Sequence, residues 1–231
     1  MRFTLFRIED AQSNRSNPFI SAPELNENWC NYLTIGYDCS PATALRELNL
    51  REFALPFDWI VSNIKGLQMC FETKFKDFHK KLRFNYNKTR LIDHYGFQFP
   101  HDYPLTNMTN YENNIGEGVF AEEYGKRITE KWYYYYNVVL NKYNRRIERF
   151  YNIINDTKPI IVLCRYNTKD VLELKELFIK YYNNNNIYFV NSCNEPFEND
   201  YIKNIYTEKE NIWNDVNIWK EGISDIKKKI K

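Results

Sequence analysis

Residues 158–193, KPIIVLCRYNTKDVLELKELFIKYYNNNNIYFVNSC, decide the fold. After Lys158-Pro159 comes an apolar run, IIVLCR, short and branched enough for a buried strand. Thr168 to Tyr182 carries apolar residues at helical spacing, four asparagines make a polar turn, and IYFVNSC reads as a second strand. Strand, helix and strand at this spacing form a βαβ unit, in which two parallel strands of one sheet are joined by a right-handed crossover.

Upstream, residues 31–36 (NYLTIG) read as a short buried strand that stops at Gly36. From Ser40, SPATALRELNL predicts a helix, with Ser40 as N-cap, Pro41 in the first turn, and Ala44, Leu45 and Leu48 on one face. Residues 51–55 are a connector. Pro56-Phe57-Asp58-Trp59 is expected to open a second helix through IVSNIKGLQMCFETKF, with Asp58 available as its cap and Phe57 and Trp59 as core anchors. Residues 84–116 predict short strands and long loops, and 118–155 one long amphipathic helix bent near Gly125. The tail from about 205 to 231, with Trp213 and Trp219, predicts one or two helices packing back. With no internal repeat and no linker, residues 1–231 are read as a single α/β domain whose partly parallel, Rossmann-like sheet is flanked by helices.

Composition narrows the function classes. The 231 residues are 43% hydrophobic and 17% aromatic, with a formal charge of +2. Such a chain can bury a large Tyr- and Phe-rich core and has no bulk charge to attract nucleic acid or an anionic membrane. Seven glycines argue against a Gly-rich phosphate cradle. No stretch reaches the ~20 apolar residues that span a bilayer, and MRFTLFRIED carries charges at Arg2, Arg7, Glu9 and Asp10 where a signal peptide needs an apolar core. The expectation is a soluble protein of the cytoplasm.

Five cysteines, Cys30, Cys39, Cys70, Cys164 and Cys193, are odd in number and contain no CxxC pair, which disfavours a disulfide framework and a structural zinc site; no metal is expected. Cys70, Cys164 and Cys193 suit packing. Cys39 differs because it stands between a strand and a helix, where free backbone N–H groups and the positive helix end stabilise a thiolate. The N–H groups of Cys39 and Ser40 are candidates for an oxyanion hole. A thiolate nucleophile needs a base, and there are three histidines. His79, among lysines, reads as a solvated helix residue; His94 and His101 lie in the irregular region, and His101, flanked by prolines, is preferred. Asp58 and Asp102 are both candidates to orient the imidazole, with Asp58 slightly favoured because chain neighbours such as His101 and Asp102 point apart when extended. Arg165, Asn167 and Asp170 follow the carboxyl end of a parallel strand and are candidate site-lining residues.

The segment YLTIGYDCSPATALRELNLREFALPFDWIVSN resembles the papain-like cysteine peptidase family of bacteria and large DNA viruses. The matching features are Gly36, Cys39, an apolar helix with Leu45, Arg51, the box Pro56 to Trp59, His101 in FQFPHD, and Arg165 after IIVLC, over roughly residues 30–195. The turn Thr34-Ile35-Gly36 departs from the Ser-Leu-Gly of that family. The resemblance implies that Cys39 and His101 act together in hydrolysing a peptide or isopeptide bond, without a cofactor. A papain-like arrangement places the cysteine on a helix and the histidine on an antiparallel sheet.

The same pair serves other acyl transfers. One alternative is a coenzyme A-dependent acyltransferase acting on a sugar hydroxyl or amine, with Arg46, Arg51 and Arg165 as candidates for the nucleotide phosphates. Another is a catalytically inactive interaction protein. The expected partner is a peptide or an acylated small molecule, with neither nucleic acid nor membrane; a viral protein would meet it in the host cytoplasm.

Overall fold

The computed structural model describes residues 29–106, 127–206 and 215–230. Its centre is a four-stranded sheet of β1 (Asn31–Gly36), β5 (Ile160–Arg165), β6 (Ile187–Ser192) and β7 (Ile202–Ile205), in that spatial order and parallel throughout. The βαβ unit is β5, α4 (Thr168–Tyr182) and β6. A second, small antiparallel sheet contains β2 (Arg83–Phe84), β3 (Leu91–Ile92) and β4 (Gln98–Phe99). Among the described residues the other α-helices are α1 (Ser40–Glu47), α2 (Ile64–Glu72), α3 (Tyr136–Ile154) and α5 (Val216–Lys229).

Helices cover both faces of the parallel sheet, which explains why IIVLC is apolar without alternation. Ile161 and Leu163 of β5 join Ala44, Leu45, Val190, Ile205, Trp219, Ile223 and Ile226 in one cluster. Ile160, Val162 and Cys164 point the other way, into a larger cluster with Phe71, Phe150, Leu174 and Phe178. There Phe57 packs against Phe71, Phe75, Phe78, Phe97 and Phe150, with all ring centroids 5.7–6.2 Å away.

Several local expectations change. The Pro56–Trp59 box does not open a helix: the Leu55 N–H donates to the Asp58 carboxylate at 2.8 Å, which folds the box into a turn. The helix begins later, and Asn63 caps it by accepting from Gly66 N. The predicted long helix shortens to α3, preceded by a 3-10 turn at Trp132–Tyr135. Backbone pairing of Ile128 with Leu105 and with Lys88 O keeps the chain extended just before it. The expected bend at Gly125 and the helical reading of Trp213 lie outside the described residues. Strand β7 was not foreseen, because its four residues are too few to register a pattern. All five cysteines are free thiols.

The fold places the start of α1 at the carboxyl end of β1. Gly36 ends that strand because the next turn folds tightly back: a Cβ there would stand 2.8 Å from Asp38 O and 3.3 Å from Pro41 Cγ. Ser62 clamps the same strand end, its N–H and hydroxyl both donating to Gly36 O while Oγ lies 2.6 Å from Tyr166 OH.

Candidate active site

Cys39 occupies the N-cap position of α1, one residue before the expected cap. The cap oxygen is supplied by Asp38, whose Oδ1 accepts from Ser40 N at 2.9 Å and from Ser40 Oγ at 2.6 Å. Its Oδ2 meets Arg165 at 2.5 Å, so the turn carrying Cys39 is tied to the end of β5. The Ser40 N–H is thus spent on Asp38 and is not an oxyanion donor; of the two amides anticipated, only that of Cys39 stays beside the sulfur.

His101 stands two residues beyond β4 of the antiparallel sheet. Its Nε2 lies 3.3 Å from Cys39 Sγ, and both residues are buried, at 5% and 2% exposure. Sixty-two positions apart in the chain, they meet because the cysteine is fixed at the parallel sheet and the histidine at the small one.

The two carboxylates proposed to orient the imidazole are both buried, with their hydrogen bonds directed elsewhere. Asp58 accepts from Thr34 Oγ1 at 2.5 Å, from Leu55 N at 2.8 Å and from Arg51 at 3.3 Å. Burial raises its carboxyl, against those three stabilising contacts. Asp102 accepts from Lys142 Nζ and, at 2.7 Å, from Tyr143 OH. Burial opposes its charge, yet Lys142, together with His79 and Arg146, holds its carboxyl down at about 2. It is an ionised group directly after His101 in the chain.

The anticipated low thiol pKa is not what this environment produces. Burial pushes the Cys39 thiol well above its ordinary value, and the charges of Asp38, Asp102 and Asp58 add to that; Arg90 opposes them. The positive end of one short helix works against burial and three carboxylates, so this environment favours the neutral thiol.

Trp59, expected only as a core anchor, forms one wall of the site. Its ring meets the His101 ring edge-on at 6.5 Å, and the guanidinium groups of Arg46 and Arg51 lie over it at 5.5 Å and 5.3 Å. Arg90 donates to Gln98 Oε1 at 3.1 Å, at the edge of the antiparallel sheet. Asn167 caps α4 by accepting from Asp170 N at 2.8 Å, and its amide donates to Asp170 Oδ2 at 2.9 Å, which gives both a structural occupation. His94 stands 4.0 Å from Asp77.

His79 is a correction: it is fully buried rather than solvated. Its Nε2 lies 2.7 Å from Tyr103 OH, its ring packs against Phe99, Tyr136 and Tyr143, and burial lowers its pKa to about 4. A left-handed backbone, φ 55°, turns it inward, and a lysine-rich neighbourhood in the sequence conceals that. Asp38, Lys142 and Tyr143 were also missed. Asp38 adjoins Cys39 and is a common residue before a helix, so it was findable; the other two reach the site only through tertiary packing.

A buried cysteine at a helix start, touching a histidine that follows an antiparallel sheet, defines the class: an α/β protein with a Cys–His pair. The sequence model of the family described as "Putative papain-like cysteine peptidase (DUF1796)" matches residues 30–191, and the chain belongs to that family. It is also similar to "Uncharacterized protein R408" of Acanthamoeba polyphaga mimivirus, 27% identical over 168 residues that cover 67% of this chain and 72% of the relative. No solved structure matches. Among the described residues no helix is long and apolar enough to cross a membrane, and no group of His, Cys, Asp and Glu has the arrangement of a metal site.

Proposed function

We propose that the protein is a cysteine peptidase that cleaves a peptide or isopeptide bond through an acyl-enzyme on Cys39. The observation that carries this reading is the 3.3 Å contact between Cys39 Sγ and His101 Nε2. Because the thiol rests neutral, His101 acts as general base during attack rather than as half of a standing ion pair. The S–H proton passes to Nε2 as the S–C bond forms and the carbonyl electrons move onto oxygen, next to the Cys39 N–H. When the C–N bond breaks, the imidazolium returns the proton to the departing amine. Water then adds to the thioester with His101 again as base, releasing the acid and restoring the thiol. Asp102, ionised in a buried setting, favours the transient imidazolium electrostatically, and Trp59 limits the positions of the ring.

The test is turnover of a fluorogenic mixed-peptide library by wild type, Cys39→Ser, Cys39→Ala and His101→Gln, each with its melting curve. Cleavage should vanish in both Cys39 variants, and fall by roughly a hundredfold to ten-thousandfold in His101→Gln. Turnover that survives in folded Cys39→Ala would overturn the reading.

A further inference from the structure

We infer that Arg46 is a specificity-determining residue that receives a carboxylate on the acyl side of the substrate. The inference rests on Cys39 being the nucleophile. Cys39 and Arg46 are seven positions apart on one continuous turn-and-helix, a spacing that returns to the same helix face roughly 10 Å along the axis. On a helix, side chains lean toward the N-terminus, so the Arg46 guanidinium is carried back toward Cys39. It rests 5.5 Å over the Trp59 ring, the same ring that meets His101 edge-on.

The charge pattern sets Arg46 apart from its neighbours. Asp38 is matched by Arg165, Asp58 by Arg51 and Asp102 by Lys142. Arg46 is exposed, and no carboxylate contacts it among the described residues. A guanidinium held against an aromatic face keeps its edge available, and that edge presents two parallel N–H donors that suit a carboxylate. One positive group balances the single charge of a carboxylate. An acyl group bound at Cys39 and bearing a carboxylate about two helical turns away would reach this edge, as an acidic side chain in a peptide does.

The experiment compares labelling of Cys39 by 6-maleimidohexanoic acid with labelling by its uncharged primary amide, followed by peptide mass mapping and normalised to the same ratio for 2-mercaptoethanol. Wild type should favour the acid by about tenfold. The ratio should fall to about one in Arg46→Gln, stay above one in Arg46→Lys, and drop below one in Arg46→Glu. Equal rates for both reagents in wild type, or a preference that persists in Arg46→Gln, would overturn the role of Arg46 while leaving Cys39 as the nucleophile. Failure of Cys39 to react with either reagent while folded would overturn the nucleophile reading, and this inference with it.

Discussion

The Asp38 carboxylate bridges two elements, holding the Ser40 N–H with one oxygen and the Arg165 guanidinium with the other. It also adjoins Cys39, where its charge opposes thiol ionisation. Asp38→Asn keeps an oxygen for Ser40 and removes the charge. It should cost less than about 1 kcal/mol, since the ion pair is partly exposed, and should move the Cys39 thiol toward its ordinary value. Asp38→Ala loses the cap as well, for about 1 kcal/mol more. The pH profile of iodoacetamide labelling checks the first point and thermal melts the second; an unmoved profile in Asp38→Asn would contradict it.

His79 and Asp93 give opposing pH dependences. Burial lowers His79 to about 4 from 6.5, so the unfolded chain binds its proton first and stability is lost as pH falls from 6.5 to 4. Burial raises Asp93 to about 7 from 3.8 despite backbone donors that include His79 N, so the folded state binds that proton first and stability is lost as pH rises from 3.8 to 7. Over pH 4 to 6.5 the two nearly cancel. Asp93→Asn should remove the contribution of Asp93 and uncover that of the histidine, with a loss of up to about 3 kcal/mol on acidification across that range, less whatever the raised Asp58 carboxyl offsets. Urea titrations at several pH values measure it, and a flat profile in this variant would contradict the assignment.

Trp59 is expected to matter more to reactivity than to folding. Trp59→Ala removes one edge-to-face contact and the ring beneath two guanidinium groups, a loss of about 1 to 3 kcal/mol. Labelling of Cys39 should slow and lose its dependence on His101, so that adding His101→Gln to Trp59→Ala changes little further. Full additivity of the two substitutions would show that Trp59 does not position the imidazole.

Phe57 presents the opposite case. With five aromatic neighbours and 1% exposure, Phe57→Ala should cost about 3 to 5 kcal/mol, while Phe57→Leu should cost clearly less. Chemical denaturation reads both; a loss under 1 kcal/mol for the alanine variant would mean that the cluster repacks.

The parts legible in the sequence were those set by short-range pattern. Strand β1, the start of α1 and the β5-α4-β6 unit all follow from local apolar runs and breakers, and Cys39 was conspicuous because its strand-to-helix position is local too. The Pro56–Trp59 box reads locally as a helix start, but its conformation depends on Asp58 accepting from Leu55, Thr34 and Arg51 simultaneously, and all three of those partners lie outside the box. His79 was misplaced for a similar reason: its lysine neighbours point outward while a left-handed residue turns the ring toward Tyr103. The acidity of Cys39 went the opposite way from the helix-end argument, since burial and the convergence of Asp38, Asp58 and Asp102 are properties of the assembled site.

Among the described residues the strand that delivers Cys39 pairs only with β5, and the ion pair holding its turn closes across 127 residues. Closing so long a loop comes late, because its entropic cost must be met before the contacts form. During synthesis Cys39 therefore lacks its platform until Arg165 has left the ribosome, long after Cys39 and His101 have both emerged. The topology itself thus sets the order in which the Cys39–His101 contact can be held: the turn that carries Cys39 is braced only once β5 has been made.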